Sequence, residues 1–271
     1  MTKHSFFGEL YVLKIGGSVL TDKATERIAR TSTLKRISEE IAIAQPRNLI
    51  LIHGAGSFGH PQAKMYLVSR EIKDALITHE TVKKLNMMMV SALTDRGLKA
   101  IPLHPLSAVV SKGGEIEYKL KDQIELALKQ GIIPVLHGDI ILDARGGFSI
   151  LSGDQLVVYA AKEFKASRVG VGTDVDGVLD DTGVVIRELT ASDVAKRNIT
   201  GSEHVDVTGG MKEKVDLLVQ LAARYKIPAV LFNATKESNV VKFLRGDGLL
   251  GTVITGRLRR REKVKNTDTI Q

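Results

Sequence analysis

Five short segments of this 271-residue chain combine glycine with lysine, histidine or aspartate in patterns suited to phosphate oxygens. In Lys14-Ile15-Gly16-Gly17-Ser18, paired glycines and a serine can aim backbone N–H groups at an anion. Lys14 adds a flexible positive charge. The spacing is neither Gly-x-x-x-x-Gly-Lys-Ser/Thr nor Gly-x-Gly-x-x-Gly. Residues 53–60 read His-Gly-Ala-Gly-Ser-Phe-Gly-His, where three glycines let the backbone approach a ligand that side chains would otherwise hold off. His60 ends this loop with a donor that can carry charge near neutral pH. Pro61 after it also suits a simple turn, and His53 reads as a structural histidine at a strand end. In Ser152-Gly153-Asp154-Gln155, Ser152 is an N-cap candidate with Asp154 in the first turn. Asp154 could also hold lysines at a phosphate site. Gly172-Thr173-Asp174-Val175-Asp176-Gly177-Val178 is either an Asx-rich turn or a polar rim around a nucleotide. In residues 206–214, Gly209-Gly210 opens a helix with Lys214 one turn in, again suited to phosphate at a helix N-terminus. Lys23, in Thr21-Asp22-Lys23, reads on its own as a surface lysine.

Composition removes several chemistries. With no cysteine, disulfides, thiolate catalysis and cysteine-ligated metals are excluded. The formal net charge is +8, and residues 257–271 supply half of it through six basic and two acidic residues. Such a run reads as a solvated end. Twelve Phe and Tyr and no Trp supply a base-stacking surface poorly. The remaining positive charge suits an anionic small molecule. No segment is laid out as a signal peptide, and no apolar run approaches the roughly 18 residues of a membrane span. A soluble, cytoplasmic protein is expected, with no membrane or nucleic-acid partner.

The elements that must position these residues follow from periodicity. Apolar, β-branched runs predict strands over 10–15, 49–53, 100–103, 132–136, 168–172 and 229–232. Amphipathic patterns predict helices over 33–44, 72–96, 120–130, 154–164, 191–197 and 210–225. This alternation implies an α/β fold with a mainly parallel sheet, and the glycine segments fall at strand carboxyl ends, where ligands collect. Hairpins are predicted around the turns 143–147 and 180–183. No internal repeat or long linker is visible, and disorder is expected from about residue 259.

In this order the five segments resemble the amino acid kinase superfamily, and within it the isopentenyl phosphate kinase family, over residues 11–256. The histidine loop is the most specific part, because members that phosphorylate carboxylates usually lack a histidine there. The resemblance implies a three-layer αβα sandwich in one domain, residues 1–258. An acceptor lobe would cover about 1–165 and a nucleotide lobe about 166–258, followed by a basic tail. It implies ATP-dependent phosphorylation of isopentenyl phosphate to the diphosphate, within the archaeal-type mevalonate route of isoprenoid biosynthesis. Lys14, Ile15, Gly16, Gly17, Ser18 and Gly56 would cradle the ATP phosphates, with Asp174, Gly210 and Lys214 on the nucleotide. Ala55, Gly59, His60 and Gly153 would bind the acceptor phosphate. Lys23 would stabilise the transition state between the two substrates, and Asp154 would orient the lysines. Mg²⁺ would bridge ATP phosphates with no assigned protein ligand, and the protein would be a homodimer. A sister kinase acting on another phosphate or phosphonate, such as fosfomycin, and a non-catalytic nucleotide-binding regulator remain as alternative readings. The stretch from His60 to Lys83 looks shorter than in the family, which bears on the isoprenoid tail. Of Met87, Met88 and Met89, core packing is the expected role.

Overall fold

Val12 and Leu13 alternate faces within a strand that is buried from its second residue onward, as expected of a parallel strand covered on both sides. This strand, β1 (Tyr11–Ile15), is the centre of a computed structural model that describes residues 9–180, 182–190, 193, 210–248 and 250–256. In chain order there follow α1 (Gly17–Leu20), α2 (Thr31–Ala44), β2 (Leu49–His53), α3 (His60–Ser69), α4 (Ile72–Thr94) and β3 (Ala100–Pro102). The chain continues through β4 (Val109–Lys112), β5 (Glu115–Tyr118), α5 (Lys121–Lys129), β6 (Ile133–His137), β7 (Asp139–Asp143), β8 (Phe148–Leu151) and α6 (Gly153–Glu163). It closes with β9 (Arg168–Thr173), β10 (Glu188–Leu189), α7 (Met211–Tyr225), β11 (Ala229–Asn233), α8 (Asn239–Arg245) and β12 (Thr252–Ile254).

The main sheet has eight strands in the order β10-β12-β11-β9-β1-β2-β6-β3. Its pairs from β11 to β3 are all parallel, and β12 runs antiparallel to β11. From β1 the chain goes to β2, β3 and β6 on one side, then crosses to β9 and β11 on the other. The carboxyl end of β1 is therefore a switch point, where a cleft opens in a doubly wound sheet. Val12, Ile50 and Ile52 pack with α5, α6 and α7 in one apolar layer. Leu13, Ile15, Leu49 and Leu51 pack with α2, α4 and α8 in the other. This is the expected three-layer αβα sandwich.

A second, four-stranded sheet has the order β5-β4-β7-β8. A single residue, Gly138, separates β6 of the large sheet from β7 of the small one. Asp139 of β7 and Ile150 and Leu151 of β8 line the cleft.

The predicted strands are all present, and so is every predicted helix except 191–197, which lies outside the described residues apart from Asp193. The hairpin around 143–147 forms as antiparallel β7 and β8. The one around 180–183 does not extend into a ladder and is joined by a single bridge, Leu179 to Val185. There Asp180 accepts from the N–H groups of Thr182 and Val184, so its side chain shapes the turn. The expected disordered tail lies outside the described residues. No helix among those described is long and apolar enough to cross a membrane.

Candidate active site

Strand alternation places Lys14 on the same face as Val12, toward α6. The N-terminus of α6 is fixed by a capping box, in which Ser152 accepts from Gln155 N–H while the Gln155 side chain accepts from Ser152 N–H. Capping sets Asp154 in the first turn, opposite Lys14, and the two meet at 2.6 Å between Nζ and Oδ2. Lys214, one turn into α7, reaches the same oxygen at 3.6 Å. Burial of Asp154 works against its charge, but Lys14 and Lys214 outweigh it and hold the carboxyl below the usual range. Two ammonium groups thus share one buried carboxylate. The excess positive charge, poorly screened there, favours an incoming anion.

The two N-terminal glycine loops meet backbone to backbone. A Cβ on Gly17 would stand 2.2 Å from the amide nitrogen of Gly56, and one on Gly54 would stand 2.6 Å from that of Gly17. Gly56 also has φ +51°, a conformation open to glycine. Thr21 stitches the loops together, its hydroxyl donating to Gly17 C=O at 2.8 Å and accepting from Ser57 N–H at 3.0 Å. Among the described residues, the N–H groups of Gly17, Ala55, Gly56 and Gly153 have no protein acceptor. These donors, half-buried at Gly17, Ala55 and Gly56 and buried at Gly153, are placed to serve a bound acceptor such as a phosphate oxygen. Three helices, α3 at His60, α6 at Gly153 and α7 at Met211, begin on the same space, so their positive dipole ends converge there.

That space is a cavity of about 600 Å³. Lys14, Gly16, Gly17, Ser18, Lys23, Ala55, Gly56, Gly59, His60, Gly153, Asp154, Asp174, Gly210 and Lys214 all line it. Ile15 is the exception among the predicted site residues. Alternation turns its side chain into the core, fully buried, and its carbonyl holds Gly54 N–H at 2.9 Å. At the outer edge, Lys23 pairs with Asp174 at 2.7 Å, and Ser18 Oγ donates to the same carboxylate at 3.0 Å. Burial opposes the Asp174 charge, yet the Lys23 and Ser18 hydrogen bonds leave its carboxyl below the usual range.

The cavity lining also includes the apolar side chains of Ala63, Val82, Ile150 and Leu151. Sequence reasoning missed these residues, because they come from three separate elements, α3, α4 and β8. It also missed Thr21 and Arg30, which donates to Ser18 C=O at 3.1 Å. Of the three methionines, Met89 is fully buried in the core, Met88 packs against it and Met87 is exposed; none lines the cavity. No cluster of three or more metal-ligating side chains occurs among the described residues. A divalent cation here would rest chiefly on phosphate oxygens.

Residues 9–233 match the amino acid kinase family model. An isopentenyl phosphate kinase from Methanothermobacter thermautotrophicus is 35% identical over 92% of this chain and all of its own length. One from Haloferax volcanii is 40% identical over 91% of this chain and 99% of its own. A solved structure of an isopentenyl phosphate kinase superposes with a TM-score of 0.79, at 32% identity, over 91% of this chain and 100% of that one.

Proposed function

The chain belongs to the amino acid kinase family, and we propose that it transfers the γ-phosphoryl group of ATP to isopentenyl phosphate, forming isopentenyl diphosphate and ADP. The observation that carries this reading is the buried Asp154 with Lys14 and Lys214 on one oxygen, set beside two glycine loops in which the Gly17, Ala55 and Gly56 amides have no acceptor among the described residues. Such a site neutralises two polyanions held together. The acceptor oxygen belongs to a phosphate monoester and is already anionic, so attack needs no general base. The barrier lies in bringing like charges into line, and fixed cations and amides lower it by positioning and electrostatics.

In this reading Lys14, Gly16, Gly17, Ser18 and Gly56 hold the β- and γ-phosphates, and Asp174, Gly210 and Lys214 lie along the nucleotide. Ala55, Gly59, His60 and Gly153 hold the acceptor phosphate. Lys23, half exposed on Asp174, leaves that carboxylate to meet the transferring group. Asp154 keeps Lys14 and Lys214 aimed. Mg²⁺, when bound to the nucleotide, neutralises phosphate charge. The branched C5 tail packs against the apolar lining of Ala63, Val82 and Ile150. The kinship also supports a homodimer, which sedimentation would check.

The test is a coupled assay of ADP release with isopentenyl phosphate, dimethylallyl phosphate and fosfomycin side by side. Isopentenyl phosphate should give the highest kcat/KM. Turnover of fosfomycin alone, or ATP binding with no transfer to any acceptor, would overturn the reading.

A further inference from the structure

Two adjacent strands end in the same dipeptide, His53-Gly54 on β2 and His137-Gly138 on β6, paired in register. Both imidazoles are fully buried on the α4 side of the sheet and stack with ring centroids 5.6 Å apart. Each ring turns back on its own chain. Nδ1 of His53 lies 3.0 Å from Gly54 C=O, and Nδ1 of His137 lies 3.0 Å from Gly138 C=O. A carbonyl only accepts, so both Nδ1 atoms carry the proton. The other nitrogens agree. Asn86 donates to Nε2 of His53 at 3.1 Å and to Val135 C=O at 3.2 Å, using both amide hydrogens. His104 Nδ1 lies 2.9 Å from Nε2 of His137, whose lone pair it meets as a donor.

We propose that His53 and His137 are positioning residues of the acceptor site, whose Nδ1–H groups pin the Gly54 and Gly138 carbonyls so that the Ala55 and Gly153 amides face the acceptor phosphate. The peptide is planar and trans, so tying Gly54 C=O toward the His53 ring points Ala55 N–H the opposite way. Ala55 lines the cavity, and its N–H has no acceptor among the described residues. Gly138 is held at both ends, its N–H donating to His53 C=O at 3.1 Å and its carbonyl accepting from His137. A Cβ on Gly138 would stand 3.2 Å from Gly153 N, so the pinned glycine backs directly onto the first residue of α6. This inference rests on the acceptor-phosphate reading above.

The test compares leucine, which lacks the donor, with asparagine, whose Nδ2–H overlays the Nδ1–H of histidine. His53→Leu and His137→Leu should each raise KM for isopentenyl phosphate about tenfold with KM for ATP nearly unchanged, the size of one misaligned hydrogen bond. His53→Asn and His137→Asn should recover most of that loss. Asparagine variants no better than leucine variants, or parallel increases in both KM values, would overturn the proposal. Should the leucine variants not fold, long-range ¹⁵N–¹H spectra of the wild type decide it. Nδ1–H tautomers at both histidines support the pinning, and an Nε2–H tautomer or an imidazolium at either one at pH 7 refutes it. The tautomers are read without substrate, so failure of the pinning is distinguishable from failure of the assigned reaction.

Discussion

Asp154 serves both stability and chemistry. Removing its charge leaves Lys14 and Lys214 facing each other in a buried site, and breaking a buried pair in this way costs about 3 kcal/mol or more. Asp154→Asn should therefore lower the melting temperature at pH 7 as well as kcat. The pH dependence has a definite sign. A carboxyl whose folded pKa lies below its ordinary 3.8 contributes stability above that value and loses it as pH falls through the folded pKa. The gap in melting temperature between wild type and Asp154→Asn should hold from pH 7 to 5 and close below pH 4. A gap unchanged down to pH 3 would mean that the ion pairs do not stabilise the fold. Lys23 and His60 stand differently, since each contacts the reacting phosphates in the proposed arrangement. Lys23 acts on charge that develops in the transition state, so Lys23→Ala should lower kcat about a hundredfold with both KM values within about threefold. His60→Ala should lower kcat/KM for isopentenyl phosphate by a similar factor while ATP affinity measured by calorimetry stays close to wild type. Equal damage to ATP binding would move His60 out of the acceptor site.

At the scale of elements, the site depends on two loops that approach more closely than side chains allow. Gly17→Ala would place a methyl 2.2 Å from Gly56 N and 2.5 Å from its Cα, backbone atoms with no rotamer to yield. Forcing the loops apart should cost about 1–3 kcal/mol and disturb donor and acceptor together. Raised KM values for both substrates in steady-state kinetics, with a lower melting temperature, would show this; wild-type kinetics would refute it. These loops were readable in the sequence because glycine at a strand end leaves a compositional mark. So were the buried strands, whose apolar runs survive any tertiary context. Ile15 was read as part of its motif because the motif is contiguous, whereas alternation sends every second residue of a strand to the other face. Helix α3 left no comparable mark. Its inward residues are Gln62, Ala63 and Tyr66, while Met65 and Val68 point outward, so the apolar stripe that betrays a helix is inverted. Pro61 looked like a turn although proline is welcome in a first helical turn. Strands β4 and β5 are four residues each and half exposed, too short for a clear period. The twin His-Gly steps were visible as residues, but their pairing depends on β2 and β6 lying side by side across eighty residues of chain.

For the whole molecule, the proposed acceptor and nucleotide lobes have no seam between them. β1 hydrogen-bonds β2 of one and β9 of the other along its whole length. One apolar layer includes Ile50 and Leu136 from the first lobe together with Val169, Leu218 and Ile254 from the second. The cavity draws on both, with His60 and Gly153 on one side and Asp174 and Lys214 on the other. The sequence reads the basic run 257–271 as a solvated end, so its deletion should leave kcat/KM within about twofold of the full chain. A continuous sheet with a shared core should melt as one cooperative unit, and a ligand bound across the lobes should stabilise all of it. ATP at about 100 times its Kd adds about 2.7 kcal/mol. For a chain of this size that corresponds to a rise of about 5–10 °C in melting temperature. Calorimetry should therefore show a single transition whose calorimetric and van't Hoff enthalpies agree, and ATP should displace the whole peak. Two transitions, with ATP moving one and isopentenyl phosphate the other, would mean that the lobes fold separately and that β1 belongs energetically to only one of them.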